Sequence, residues 1–444
     1  MSDVACGKRK ETTTMSDKKY TIHKRVEKKD EGAYLRLPFK VEEDAERIDI
    51  VYTYEQERQT TLDQQVIHHP NATVDFALMA PDHRYLGSSG SNRKHLFISA
   101  TASSAGFLRC DVRRGQWTII LGAYKVPENG VDVVYTITLK RKERSLFKGD
   151  THVHTIGSDG RLSLETIVRQ AQDLCLDYLI ITDHNDFAMQ ADLYTTDRLT
   201  VIPGMEWTLY NGHAGFLGVD RPFAGDFVAR NREETEQKMT EAEKNGAVVV
   251  LNHPFDADCP WKWGFDVPFD AVEVWNGAIA ERNRRAIDWW HHQLLAGRHI
   301  PVTGGSDFHR PDLLSAIGVP TNCIYAPSKS RADLLQAIRR GHGYIAYTYD
   351  APELDIDCCG LSFGDTVPSG AEITIRLTHL KGGEDVHLIT DRGERIHPIP
   401  ADCLHYSFTA SFPGCRFLRI EVAGSYAKGL GKKLVLLANP IFFD

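Results

Sequence analysis

The segment Asp150-Thr151-His152-Val153-His154-Thr155 places two histidines one residue apart. On an extended chain alternate side chains share a face, so both imidazoles can reach one cation. Six further clusters carry the same kinds of group. They are Ser158-Asp159-Gly160, Thr182-Asp183-His184-Asn185, Gly204-Met205-Glu206, Asn211-Gly212-His213 and Asn252-His253-Pro254, and a sixth, Ser306-Asp307-Phe308-His309, completes the set. Taken singly, each histidine or carboxylate reads as a satisfied structural residue or a surface cap. Taken together, His152, His154, Asp159, His184, Glu206, His213, His253, Asp307 and His309 are more ligands than one four-coordinate ion uses, so at least two bound divalent metals are expected. A mixed imidazole and carboxylate set suits zinc, manganese or iron. Cysteine is absent from the set, whereas closed structural zinc sites are cysteine-rich, which points to catalytic metal.

The elements that must hold these groups follow from the spacing of apolar residues. Most of the clusters come directly after a short apolar run: residues 179–181, 200–202, 247–251 and 300–303. Between some of these runs lie helical patterns. Ser163 can cap a helix whose Leu164, Ile167, Val168, Ala171, Leu174 and Cys175 share one face, and residues 231–245 and 330–340 read as polar helices. Uninterrupted strands alternating with helices point to parallel strands buried on both faces. Polar residues at the C-terminal ends of several strands favour a barrel related to the (β/α)8 type over an open sheet.

The flanks differ. Residues 1–17 are small, polar and aperiodic, and read as a disordered tail. Residues 18–144 alternate with period two, as at Ile48, Ile50, Tyr52 and Tyr54, at Val74, Phe76 and Leu78, and at Val133, Tyr135, Ile137 and Leu139, which predicts a β-sandwich-like domain. Residues 145–350 form the barrel. Residues 351–444 return to alternation (Ile373, Ile375, Leu377; Leu418, Ile420, Val422), with Asp391-Arg392-Gly393 as a turn, and read as a second β-sandwich-like domain.

Composition narrows the classes. The 444 residues are 42% hydrophobic and 25% charged, as in an ordinary globular protein, and carry a formal net charge of −8. That balance argues against a nucleic-acid partner, which needs a basic face. No apolar run reaches the roughly 18 residues that span a bilayer, and residues 1–29 lack the apolar stretch of a secretory signal. Nine scattered cysteines without a CxxC pair fit a reducing compartment, so a cytoplasmic location is expected. The oligomeric state is not legible.

The order HxHT, SDG, TDHN, E, H, HP, SDxH resembles that of the PHP family, named for polymerase and histidinol phosphatase, over roughly residues 146–350. The form Lys-Gly-Asp-Thr-His-Val-His-Thr with Asn252-His253-Pro254 and flanking β-domains is most similar to the subgroup named after carbaryl hydrolases. The resemblance implies a distorted (β/α)7 barrel with two or three divalent metals. By motif, one metal takes His152, His154, Glu206 and Asp307; Glu206 bridges to a second, held by His213 and His253; a third takes Asp159, His184 and His309. Some trinuclear relatives have histidine where Asp159 stands. A water between two such cations is a hydroxide near neutral pH and attacks phosphorus or a carbonyl carbon. Asp307, with Glu206, is the catalytic candidate, Asp307 for proton transfer. Arg161 and Arg310 adjoin metal motifs and could neutralise a phosphate. Trp261 and Trp263, in Cys259-Pro260-Trp261-Lys262-Trp263-Gly264-Phe265, could stack on an aryl group or pack against the flanking domains. Three functions stay open: hydrolysis of a small phosphomonoester or phosphodiester, hydrolysis of a carbamate or carboxylic ester at the same site, and an inactive module serving as a binding scaffold.

Overall fold

The computed structural model describes residues 17–62, 65–187, 191–311, 316–425 and 431–444. The tail read as disordered therefore lies, apart from Asp17, outside the described residues. The chain divides into two compact units, residues 1–142 and 143–444.

The first unit is built from two four-stranded antiparallel sheets. One orders Lys18–Val26, Val131–Lys140, Arg47–Thr53 and His95–Ser99; the other orders Tyr34–Val41, Gly115–Lys125, Thr73–Met79 and Tyr85–Ser89. The alternating residues named above supply its core. Ile48, Ile50, Tyr52, Val74, Phe76, Leu78, Val133, Tyr135, Ile137 and Leu139 are all buried. The rings of Tyr52, Phe76 and Tyr135 pack with centroids 5.5–6.1 Å apart.

The second unit is mixed α/β and centres on a curled sheet. Seven strands run in the order Val302–Gly305, Ala271–Asn276, Val248–Asn252, Gly212–Leu217, Thr200–Leu209, Tyr178–Ile181, Ser145–Val153. The two ends of this run meet: Thr151 Oγ1 donates to Gly304 O at 3.0 Å, and the chain beyond residue 305 pairs with the first strand through Asp307 N to His152 O and His154 N to Phe308 O, each 2.9 Å. Buried Asp150 pins the same seam, accepting from Ser306 N at 3.1 Å and Gly318 N at 2.7 Å. Helices Leu164–Asp173, Arg232–Lys244 and Arg331–Arg340 begin at Ser163, Asn231 and Ser330, whose side chains accept from Thr166 N, Glu234 N and Asp333 N. Such caps satisfy donors that the first turn leaves open. A fourth helix, Glu281–Leu295, was not anticipated from its charged, aromatic sequence; it buries Ala286, Ile287, Trp290 and Leu294.

The parallel expectation fails at Gly212–Leu217 and again at Thr321–Ala326, which pairs antiparallel with Ser145–Val153 and with Gly343–Ala346. Thr200–Leu209 turns directly into Gly212–Leu217, which pairs antiparallel with it and with Val248–Asn252. The turn at Tyr210 and Asn211 leaves no room for a crossover helix, and parallel neighbours need one. The sheet also runs on past residue 350: Gly343–Ala346 pairs with Lys433–Ala438, followed by Phe417–Gly424, Asp385–Thr390 and Gly393–Pro398. No helix among the described residues is long and apolar enough to cross a membrane.

Candidate metal centre

The polar clusters converge at one rim of the curled sheet. The parallel strands bring their C-terminal ends there, and the reversed strand Gly212–Leu217 brings its first residues to the same rim. That is how His213, across the ladder from Asn252 and Thr208, faces Glu206. His152 and His154 lie on one face of their strand, with Nε2 atoms 3.1 Å apart. Glu206 Oε1 is 3.3 Å from His152 Nε2, and Asp307 Oδ1 is 3.3 and 3.2 Å from the two imidazoles. Glu206 Oε1 also lies 3.2 Å from His213 Nδ1 and 3.0 Å from His253 Nε2, while its Oε2 faces His154 Nε2 at 3.5 Å and His184 Nδ1 at 2.9 Å. At the outer end, Asp159 Oδ1 is 3.6 Å from His184 Nε2 and 3.2 Å from His309 Nε2. All nine candidate ligands thus stand in one connected cluster, from fully buried His154 and Glu206 to exposed Asp159.

The donor set fits divalent cations. Burial opposes charge on His152, yet the carboxylates of Glu273, Asp307 and Glu206 raise its imidazole well above the ordinary value while no cation faces it; with a cation on Nε2, the Glu273 carboxylate, 3.0 Å from Nδ1, would hold the remaining proton there. The neighbours of Nε2 are another imidazole nitrogen and two carboxylate oxygens, all acceptors. Buried Glu206 Oε2 takes no hydrogen bond; its nearest nitrogen, His184 Nδ1, is engaged by Thr208 Oγ1 at 2.6 Å. A buried carboxylate oxygen left this way costs free energy unless a cation faces it. Burial opposes charge on Glu206, yet the imidazoles of His152, His184 and His213 outweigh it and hold the carboxyl well below the usual carboxylate range. Burial likewise opposes charge on Asp307, and His152, His154 and His253 hold it ionised. Burial keeps His154 below its ordinary value, hence neutral, the form that ligates.

A second layer that sequence reasoning did not assign braces this cluster. Glu273 is buried, and besides His152 Nδ1 its carboxylate accepts from His253 N and Asn276 Nδ2, each at 3.0 Å. Asn276 Nδ2 also reaches Asp307 Oδ2 at 3.3 Å, Asn252 Nδ2 donates to Glu206 Oε1 at 2.9 Å, and Cys259 Sγ lies 3.5 Å from His253 Nδ1. The available signal was the lone charge inside Ala271-Val272-Glu273-Val274-Trp275: an acid in a strand buried throughout needs a partner. Gly305 makes the packing possible, since a Cβ there would lie 2.3 Å from His152 Cβ and 2.5 Å from Glu273 Oε1. Asn185, His253 and Asp307 adopt positive φ (50°, 27° and 52°). Backbone strain of this kind costs roughly 1–3 kcal/mol per residue and persists where surrounding structure enforces it.

The substrate candidates fall differently. Arg161 and Arg310 are exposed at this rim, with Arg161 N donating to His309 O at 2.7 Å. Trp261 is buried in the hydrophobic core that also holds Trp207 and Phe216, with Nε1 donating to Gly264 O at 2.6 Å, and half-buried Trp263 packs against the same core.

No family model matches the chain. A curated relative, the 5'-3' exoribonuclease Rnm of Salmonella typhimurium, is 34% identical over 100 residues, which is 20% of this chain and 34% of that protein. The match thus spans about a third of the relative's length. Among solved structures, a two-domain protein from Bacteroides vulgatus containing a predicted PHP-like metal-dependent phosphoesterase is similar at 16% identity and a TM-score of 0.39, covering 66% of this chain and 96% of that one. An amidohydrolase from Chromobacterium violaceum with bound sulfate and no metal is similar at 16% identity and a TM-score of 0.26, covering 37% and 89%.

Proposed function

We propose that the chain is a metal-dependent hydrolase of the PHP type, built on a distorted (β/α)7 barrel, that cleaves a small phosphomonoester or phosphodiester. The observation that carries this reading is the placement of Glu206, whose two oxygens face different sets of histidines. In this reading His152, His154, Glu206 and Asp307 hold one cation, Glu206 with His213 and His253 a second, and Asp159, His184 and His309 a third. Bound zinc, manganese or iron supplies a water of lowered pKa as nucleophile and offsets charge on the oxygens of the reacting group. Asp307 is the proton carrier: ionised, aimed at the His152 and His154 nitrogens, and steadied by Asn276. Asp150 and Glu273 fix the strand end and the imidazole that the chemistry depends on.

A cluster that concentrates positive charge suits an anionic substrate, and the exoribonuclease named above acts on a phosphodiester. The net charge of −8 favours a small ester over a long nucleic acid. Free thiols at every described cysteine fit a cytoplasmic protein. One observation favours the carbamate or carboxylic ester reading. Ile156, Leu193 and Tyr210, in the segments that follow three consecutive strands that bear or lead into candidate ligands, are 65%, 74% and 102% exposed, apolar groups that suit an uncharged aryl substrate. The test compares aryl phosphate, bis-aryl phosphate, aryl acetate and aryl carbamate at identical, measured metal loading. A phosphoester is expected to have the highest kcat/KM; a tenfold advantage for acetate or carbamate, about 1.4 kcal/mol at the transition state, replaces the first reading by the second. A folded protein that binds no metal sinks both.

A further inference from the structure

The N-terminal unit has its own concave site, on the outer face of the sheet that contains Tyr34–Val41, Gly115–Lys125, Thr73–Met79 and Tyr85–Ser89. A groove of about 520 Å³ lies there. That volume is in the range of small-ligand sites, roughly 300–1,000 Å³. The strand register sets its floor. Tyr34, Gly122 and Asp75 form one row across three strands, and Arg36, Ile120, Ala77 and Ser88 form the next.

Each member of the first row has an unusual state. Tyr34 is 79% exposed, yet a Cβ placed on Gly122 would lie only 3.4 Å from its ring Cε1 and 3.6 Å from Cδ1. The ring therefore leans along the sheet over the glycine, with its outer surface open. Half-buried Asp75 has no hydrogen-bond or ion-pair partner among the described residues. In the second row, Arg36 is described with one such contact, from Nη1 to the sulfur of Met79 at 3.2 Å, and a thioether is a weak acceptor. A second ring, Tyr85, 54% exposed, lines the groove from the edge strand, and Tyr124, 74% exposed, stands on the face of Gly122 two residues along.

These groups select a ligand class. An anion would meet Asp75, a metal ion would find one carboxylate, and an apolar molecule would strip water from both charges without replacing it. A pyranose satisfies all of them: its C–H face packs on an aromatic ring, its hydroxyls donate to a carboxylate, and its oxygens accept from a guanidinium. We propose that this groove binds a neutral carbohydrate chain, with Tyr34 as the stacking platform and Asp75 and Arg36 as the hydroxyl-reading pair.

The test is electrophoresis of the full chain in native gels containing hydroxyethylcellulose, xylan, galactomannan, polygalacturonate or no polymer, followed by calorimetry with oligosaccharides of any polymer that retards it. Retardation by at least one neutral polymer is expected. Tyr34→Ala should weaken binding tenfold or more and Asp75→Asn at least threefold, while Tyr34→Phe, which keeps the ring, should stay within threefold of wild type. His152→Ala should bind as wild type does, which separates this groove from the metal centre. Migration unchanged by every neutral polymer, retardation by polygalacturonate alone, binding lost in His152→Ala, or undiminished binding in a folded Tyr34→Ala/Tyr85→Ala variant would each overturn the proposal.

Discussion

The two ends of the metal cluster are built differently. At the inner end His152, His154, Glu206 and His253 are buried, and Glu273, Asn252 and Asn276 engage His152 Nδ1, the His253 amide, Glu206 Oε1 and Asp307 Oδ2. At the outer end Asp159 is exposed, and the side-chain contact described for its carboxylate outside the cluster is with Ser158 at 3.5 Å. His184 and His309 there are held by Thr208 Oγ1 and by the Asp307 carbonyl. Ligands with locked rotamers hold a cation in one geometry, whereas exposed ones must be ordered by the ion itself. The inner end is thus preorganised to receive a cation, whereas the outer end would have to be ordered by one.

The largest effect tests whether the inner end is the catalytic one. Glu206→Gln and His152→Ala should each lower kcat/KM by roughly a thousandfold or more, on the order of 4 kcal/mol, with near-native circular dichroism. Glu206→Gln should still retain some metal through the remaining histidines, and normal rate with normal metal content would remove Glu206 from its shared position. Asp307→Ala should be comparably inactive, and full activity would reassign the first metal.

The next effect sharpens the comparison by attacking the brace. Glu273→Gln keeps the shape but weakens the bond to His152 Nδ1, so inner-site metal affinity should fall by about 10–100-fold, the usual cost of losing such a partner. Competition with a chromophoric chelator measures it; an unchanged affinity would make Glu273 a packing residue. The smallest effect belongs to the outer end. Asp159→Asn should remove at most one metal equivalent and change kcat less than tenfold, as read by elemental analysis and rate together. Inactivation by Asp159→Asn as deep as that of Glu206→Gln would erase the distinction between the ends.

Much of this was legible because the candidate ligands stand in short motifs and the strands in apolar runs. The core faces at Ile48 to Tyr54 and at Ile373 to Leu377 follow from period two, one helix starts at Ser163, named as its cap from the sequence, and two more fall in the stretches read as helical. The fourth helix was hidden because charged and imidazole side chains, among them half-buried Arg282 and His291, are interspersed with its apolar residues. The reversed strand beside Glu206 was hidden because an apolar strand reads alike in either direction; direction is set by the turn at Tyr210 and Asn211. Glu273 was hidden because a bracing acid has no motif, and the candidate ligands it engages, His253 and His152, lie 20 and 121 residues away. For Trp261, composition alone did not separate an aromatic lining a site from one filling a core; burial decides.

The sheet's continuation past residue 350 bears on when the centre comes into being during synthesis. Strand Lys433–Ala438 lies against Gly343–Ala346, and next to it Asn439 binds both backbone groups of Val302, Oδ1 accepting from N at 2.8 Å and Nδ2 donating to O at 3.0 Å. Val302 begins the strand that leads into Asp307. A nascent chain that already carries all nine candidate ligands, the last at His309, still lacks the residue that ties down the Asp307 strand until some 130 further residues have left the ribosome. Metal capture before that point would meet an unfinished rim, so the ordered second layer is a late product of translation.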